Sequence, residues 1–123
     1  AFSQNVRADE RSWTLALGPA DLEGLPPFLV DALAQAAADR GLDGHVVTLS
    51  RSLIVPFLQF SPRRDLRETA FRAWTARGAG GGPTDNRAIA AEILGLRAER
   101  ARLLGFPSFA AYKLDTEMAR TPE

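Results

Sequence analysis

Cysteine is absent from the 123 residues, so neither a disulfide nor a thiolate metal site can form. Histidine is nearly absent: His45 stands alone, and one imidazole cannot build a histidine-based metal centre. Lys113 is the only lysine, and the preference for Arg and Ala points to a GC-rich, bacterial coding sequence. No apolar run approaches the ~20 residues of a membrane helix, so no membrane partner is expected. Net charge is absent too, because fifteen basic and fifteen acidic residues cancel. Nothing in that balance favours nucleic acid. A signal-peptide layout is also lacking, and with no cysteine the expected location is cytoplasmic. The chain opens at Ala1 without a methionine and reads as a piece of a longer protein.

What is present is enough for a core, with 46% hydrophobic residues in a chain of this length. Residues 2–11 read as the tail of a helix. Trp13, Leu15 and Leu17 alternate with Thr14 and Ala16, the period of a half-buried strand ended by Gly18-Pro19. Asp21-Leu22-Glu23 reads as a short helical turn. Pro26-Pro27 suits a helix start, and Leu29, Val30, Leu33, Ala36 and Ala37 continue it to Arg40, with Gly41 as its left-handed end. Val46-Val47-Thr48-Leu49 is a second strand, paired with 13–17 in a direction that sequence leaves open. Residues 53–60 form an apolar helix interrupted by Pro56.

Ser61-Pro62 reads as a cap and first turn, followed by Leu66, Ala70, Phe71, Ala73 and Trp74 on one face. A flexible loop is expected at 78–83. Thr84, Asp85 and Asn86 are candidate caps for a long helix carrying Ile89, Ala90, Ile93, Leu94, Leu96, Ala101, Leu103 and Leu104, which is expected to be a central packing element. Gly105 ends it. Ser108 caps a last helix through Ala119, with Phe109, Tyr112 and Met118 facing inward. The expected fold is mainly α: a single multi-helix segment over 1–123 with a small two-stranded β element.

The C-terminal stretch is the most specific. Leu96-Arg97, Glu99, Ala101 and Leu103-Leu104-Gly105-Phe106 precede Phe109-Ala110-Ala111-Tyr112, then Lys113, Met118-Ala119 and Pro122-Glu123. This resembles the thimet oligopeptidase family of helical zinc metallopeptidases, which includes oligopeptidase A and the peptidyl-dipeptidases. Upstream fragments agree in order and spacing: Phe2–Val6, Trp13-Thr14-Leu15, Thr48-Leu49, Pro56-Phe57-Leu58, Arg64–Glu68, Ala73–Arg77, Asp85-Asn86 and Glu92-Ile93-Leu94. Ser52-Leu53-Ile54 departs from the Pro-Ser-Tyr of many relatives, and the loop after Gly78 lacks the usual acidic residue. The loop and spacing lean toward the peptidyl-dipeptidase branch.

The resemblance implies a parent that hydrolyses short peptides in a channel between helical halves. Its zinc would sit on an H-E-x-x-H helix well downstream, with the motif glutamate as base for the attacking water. No such motif occurs in 1–123. The segment is therefore expected to form or brace a channel wall, to hold no zinc and to cleave nothing alone. No residue of it is assigned a catalytic, cofactor-binding or metal-ligating role. Glu92, Glu99 and Asp115 read as solvated helical carboxylates, and His45 as an exposed strand-edge residue. Ser50, Ser52 and Ser61 read as turn and cap residues.

Gly78–Gly82 is not a P-loop, since no Gly-Lys-Ser/Thr follows. Arg63, Arg64 and Arg67 interleave with Asp65 and Glu68 as a charged helix face. Trp13, Phe57, Phe60, Phe71, Trp74, Phe106, Phe109 and Tyr112 read as core. Part of the run Leu53–Phe60, or the Phe106–Tyr112 region, is expected to lie exposed or in a self-association contact. The alternative function is a free-standing helical interaction domain without catalytic activity.

Overall fold

The computed structural model describes residues 1–123. Six α-helices and two strands follow in chain order: α1 (Phe2–Ser12), β1 (Thr14–Leu17), a 3-10 turn (Pro19–Leu22), α2 (Pro27–Ala38), β2 (His45–Thr48), α3 (Arg51–Phe60), α4 (Arg64–Thr75), α5 (Arg87–Leu103) and α6 (Phe109–Leu114). The expected mainly-α architecture with one strand pair is what forms. Two compact units result: Ala1 with Ser3–Asp85, and Phe2 with Asn86–Glu123.

The first unit is built on the strand pair. β1 and β2 are antiparallel, with Thr14 opposite Thr48 and Leu17 opposite His45. Burial alternates along β1, whereas Val46, Val47 and Thr48 of β2 are all buried. α2 and α3 both pack on β2, which explains why it is apolar without alternation. The core joins Leu17, Leu29, Leu33, Val46, Val47, Leu49, Ile54 and Phe57. α2 contributes Leu29, Leu33, Ala36 and Ala37, one stripe at helical spacing. Each leucine buried this fully contributes roughly 1.5–3 kcal/mol. Gly41 adopts φ 65° at the end of α2, as its position in the sequence requires. The Thr48 hydroxyl, buried in the core, is satisfied by Ser50 Oγ at 3.0 Å.

Pro56 sits inside α3 without ending it. Pro56 cannot donate to the Ser52 carbonyl one turn back, and Ser52 is exposed. α4 begins two residues later than its cap signal indicated. Ser61 is buried and closes α3 instead, and its hydroxyl accepts the Arg63 N–H at 3.3 Å. Arg63 is the residue at the start of α4, held by Asp65 in the first turn. Leu66, Ala73 and Trp74 pack against the core and Ala70 is fully buried. Phe71 falls off that stripe and is half exposed, so its expected core role is not met. Phe60 is also exposed, edge-to-face with Phe28 at 6.1 Å.

In the second unit α5 has the expected extent, but its apolar residues do not form a packed stripe. Only Ala101 is buried, while Leu94 (64% exposed), Leu96 (57%) and Leu103 (77%) face outward. At about 100° per residue, Leu94 and Leu96 lie on nearly opposite sides of the helix. Such a helix has no single apolar face, so its expected role as a central packing element is not met. Asn86 stands at its N-terminus with no side-chain cap, its amide donating to the Phe2 carbonyl at 3.0 Å. Ser108 caps α6 as expected, its Oγ accepting the Ala111 N–H at 3.1 Å. α6 stops at Leu114, short of Ala119, and Met118 is wholly exposed rather than inward-facing.

Candidate functional site

The groups able to do chemistry are scattered. His45 opens β2 opposite Leu17 and is half-buried, deeper than an exposed edge residue. Glu92 and Glu99 are exposed on α5, and Asp115 is exposed at the end of α6. No three His, Cys, Asp or Glu side chains converge, so no set of residues here fits a zinc ion. Ser50, Ser52 and Ser61 form no nucleophile with a base. Ser50 Oγ bonds Thr48 and Ser52, and Ser61 takes the backbone of Arg63.

Two polar assemblies do form. At the start of α4, Arg63 donates through Nε (3.0 Å) and Nη2 (2.7 Å) to Asp65, and through Nη1 (2.5 Å) to Asp21 of the 3-10 turn. The hydrogen bond from Arg63 holds the Asp65 carboxyl below the usual carboxylate range. Arg72 pairs Glu68 at 2.7 Å one turn away, and Arg67 donates to the Ser61 carbonyl. Of the three arginines of the cluster, Arg63 is engaged by two carboxylates and Arg67 by a backbone carbonyl, on a helix face that carries charges of both signs. Exposed pairs of this kind contribute little to stability. An open groove beside it is lined by Leu58, Arg64, Arg67, Glu68 and Phe71.

The second assembly ties α1 to the connection after α4. Arg77 pairs Glu10, donates to the Trp74 carbonyl (2.8 Å) and lies 5.3 Å from the Trp74 ring centroid. Gly78 N–H donates to Asp9 Oδ2 at 2.7 Å. The neighbouring Thr84 side chain, and then the Gly78 N–H, hold the Asp9 carboxyl low against slight burial and the charge of Asp85. Sequence reading passed over Asp9 and Glu10 as part of a polar helix tail. The available signal was an acidic residue in the last turn of a helix, where the macrodipole disfavours it.

In the second unit Tyr112 gathers aromatic and cationic partners. Phe106 and Phe109 lie 5.4 and 5.9 Å away between ring centroids. Arg100 donates to the Tyr112 hydroxyl at 2.9 Å and lies over its ring, while Arg97 lies over Phe109. This is the structural content of the Phe106–Tyr112 motif: a local aromatic lock on α5, with no reactive group.

The family model for peptidase family M3 matches residues 57–123, more than half of the chain. This chain belongs to peptidase family M3. It is 37% identical to oligopeptidase A of Haemophilus influenzae, over 99% of this chain and 19% of that protein. It is 35% identical to oligopeptidase A of Escherichia coli, with the same coverage of 99% and 19%. Dipeptidyl carboxypeptidase of Salmonella typhimurium is 35% identical over 99% of the chain and 18% of its own length. The M3 chain therefore spans about a fifth of the length of the curated relatives it matches. No helix in it is long and apolar enough to cross a membrane.

Proposed function

We propose that this M3 chain is part of a zinc-dependent peptidase, of oligopeptidase or peptidyl-dipeptidase type, that hydrolyses short peptides in the cytoplasm. It forms or braces a wall of the peptide channel and supplies none of the catalytic groups. The observation that carries this reading is the alignment of 99% of the chain with oligopeptidase A and dipeptidyl carboxypeptidase, of which it makes up under a fifth. The scattered donors of this segment support a zinc site built elsewhere in such a protein. The single-segment role covers residues 1–123, with both compact units serving the same enzyme.

The test is hydrolysis of quenched peptides of increasing length by the whole gene product that contains this sequence. Chelator-sensitive cleavage of short peptides, with little cleavage of folded proteins, supports the proposal. A gene product that binds no zinc and cleaves no peptide refutes it. That outcome would favour a free-standing helical interaction domain, a reading to which the self-contained core of the first unit lends some support.

A further inference from the structure

α5 carries more leucine than its own unit covers. Leu96, Leu103 and Leu104 are all more than half exposed. At about 100° per residue, Leu96 and Leu103 lie within ~20° of each other around the helix, with Leu104 on their flank. Ala101, the one buried residue of α5, stands roughly 150° away from them. One turn before Ala101, Arg97 lies over Phe109 of α6. The unit thus closes on the Arg97–Ala101 side and leaves the leucine side open. A shallow groove runs along that open side, lined by Leu96, Glu99, Arg100, Leu103 and Leu104. The spacing i, i+3, i+4, i+7 and i+8 is that of a helix face that receives the ridge of another helix.

We propose that this leucine face is a docking seam, and that its occupant is an amphipathic helix from the part of the same peptidase that lies outside these 123 residues. This rests on the reading of the chain as part of a larger enzyme. The chain aligns over 99% of itself but only 19% of oligopeptidase A, so about four-fifths of such a protein is available to supply the helix. A second copy fits less well. A leucine buries less than the ~150–250 Å² of an aromatic side chain, so three from each copy fall short of the ~1,200 Å² of a stable dimer interface. A helix in the same polypeptide meets the seam at high effective concentration and needs no such area.

Amide hydrogen exchange tests it, comparing the 123-residue chain with the whole gene product that contains it. Amides of residues 94–104 are expected to exchange more than about tenfold more slowly in the whole product, because a docked α5 opens less often. Leu103→Asp in the whole product should return these amides to the rate of the 123-residue chain while β2 keeps its protection. Where Leu103→Asp also unfolds β2, Leu103→Ala decides, with a smaller acceleration confined to α5. Equal exchange of 94–104 in the two proteins overturns the seam, as does slowing that both variants leave intact. Protection that rises with the concentration of the 123-residue chain overturns the occupant, because a second copy then fills the face. A gene product no longer than this chain overturns it as well. Turnover is read separately. A whole product that cleaves short peptides but leaves α5 unprotected removes the seam and keeps the peptidase. One that protects α5 and cleaves nothing keeps the seam and removes the peptidase.

Discussion

Phe57 is the residue whose removal should be felt most. It is wholly buried on α3, within the cluster that includes Leu33, Val47 and Ile54. Phe57→Ala removes an aromatic ring from a closed site and should cost about 3–5 kcal/mol. At ~0.05–0.15 kcal/mol per residue, a unit of this size holds only on the order of 4–13 kcal/mol in all. The loss is thus a large share of its stability. Phe71→Ala, 14 residues away on α4 and half exposed, should cost roughly 0.5 kcal/mol or less. Urea unfolding followed by tryptophan fluorescence separates the two. Both tryptophans, Trp13 and Trp74, belong to the first unit and pack on its core. With a slope of about 2 kcal/mol per M, the Phe57→Ala midpoint should fall by roughly 2 M, and the Phe71→Ala midpoint by about 0.25 M or less. Equal shifts in the two variants would refute the packing described for α3 and α4.

Leu103→Ser should leave the unfolding midpoint nearly unchanged, because Leu103 is 77% exposed; a loss above about 2 kcal/mol would show that α5 is packed after all. Ser108→Ala should cost about 1 kcal/mol of local helix stability, read as faster exchange of the Ala111 amide, since that amide loses its acceptor. Asp9 and Asp65 both have lowered carboxyl pKa values, so the stability they contribute is fully present above the unfolded value near 4 and is lost as pH falls below it toward the folded values. An acid titration should therefore show a stability loss below about pH 4 that Asp9→Asn and Asp65→Asn each reduce; identical curves for the double variant and the parent chain would contradict it.

Elements whose signal is local were legible in the sequence. The stripe Leu29, Leu33, Ala36 and Ala37, the alternation in β1, the cap at Ser108 and the glycines at 41 and 105 all act through neighbours within one or two turns. Family membership was legible because Leu96–Glu123 keeps its motif residues in order. What escaped reading depends on contacts distant in sequence. Strand direction depends on how the chain returns after α2. Arg63, the residue before α4, is held by Asp21, 42 residues away. Spacing alone suggests an apolar stripe on α5, but Leu94 and Leu96, both exposed, lie on nearly opposite sides of the helix. Residue type suggests a core place for Phe60 and Phe71, yet both are exposed. Asp9 was invisible because its partners are about seventy residues away.

The central claim is that this segment belongs to a peptidase and carries none of its chemistry. Turnover of a quenched short peptide by the purified 123-residue chain, with and without added Zn²⁺ and chelator, tests it most directly. The account predicts no cleavage above the blank in either condition, since no three potential ligands converge anywhere in the chain. Cleavage that zinc stimulates and chelator abolishes would contradict it.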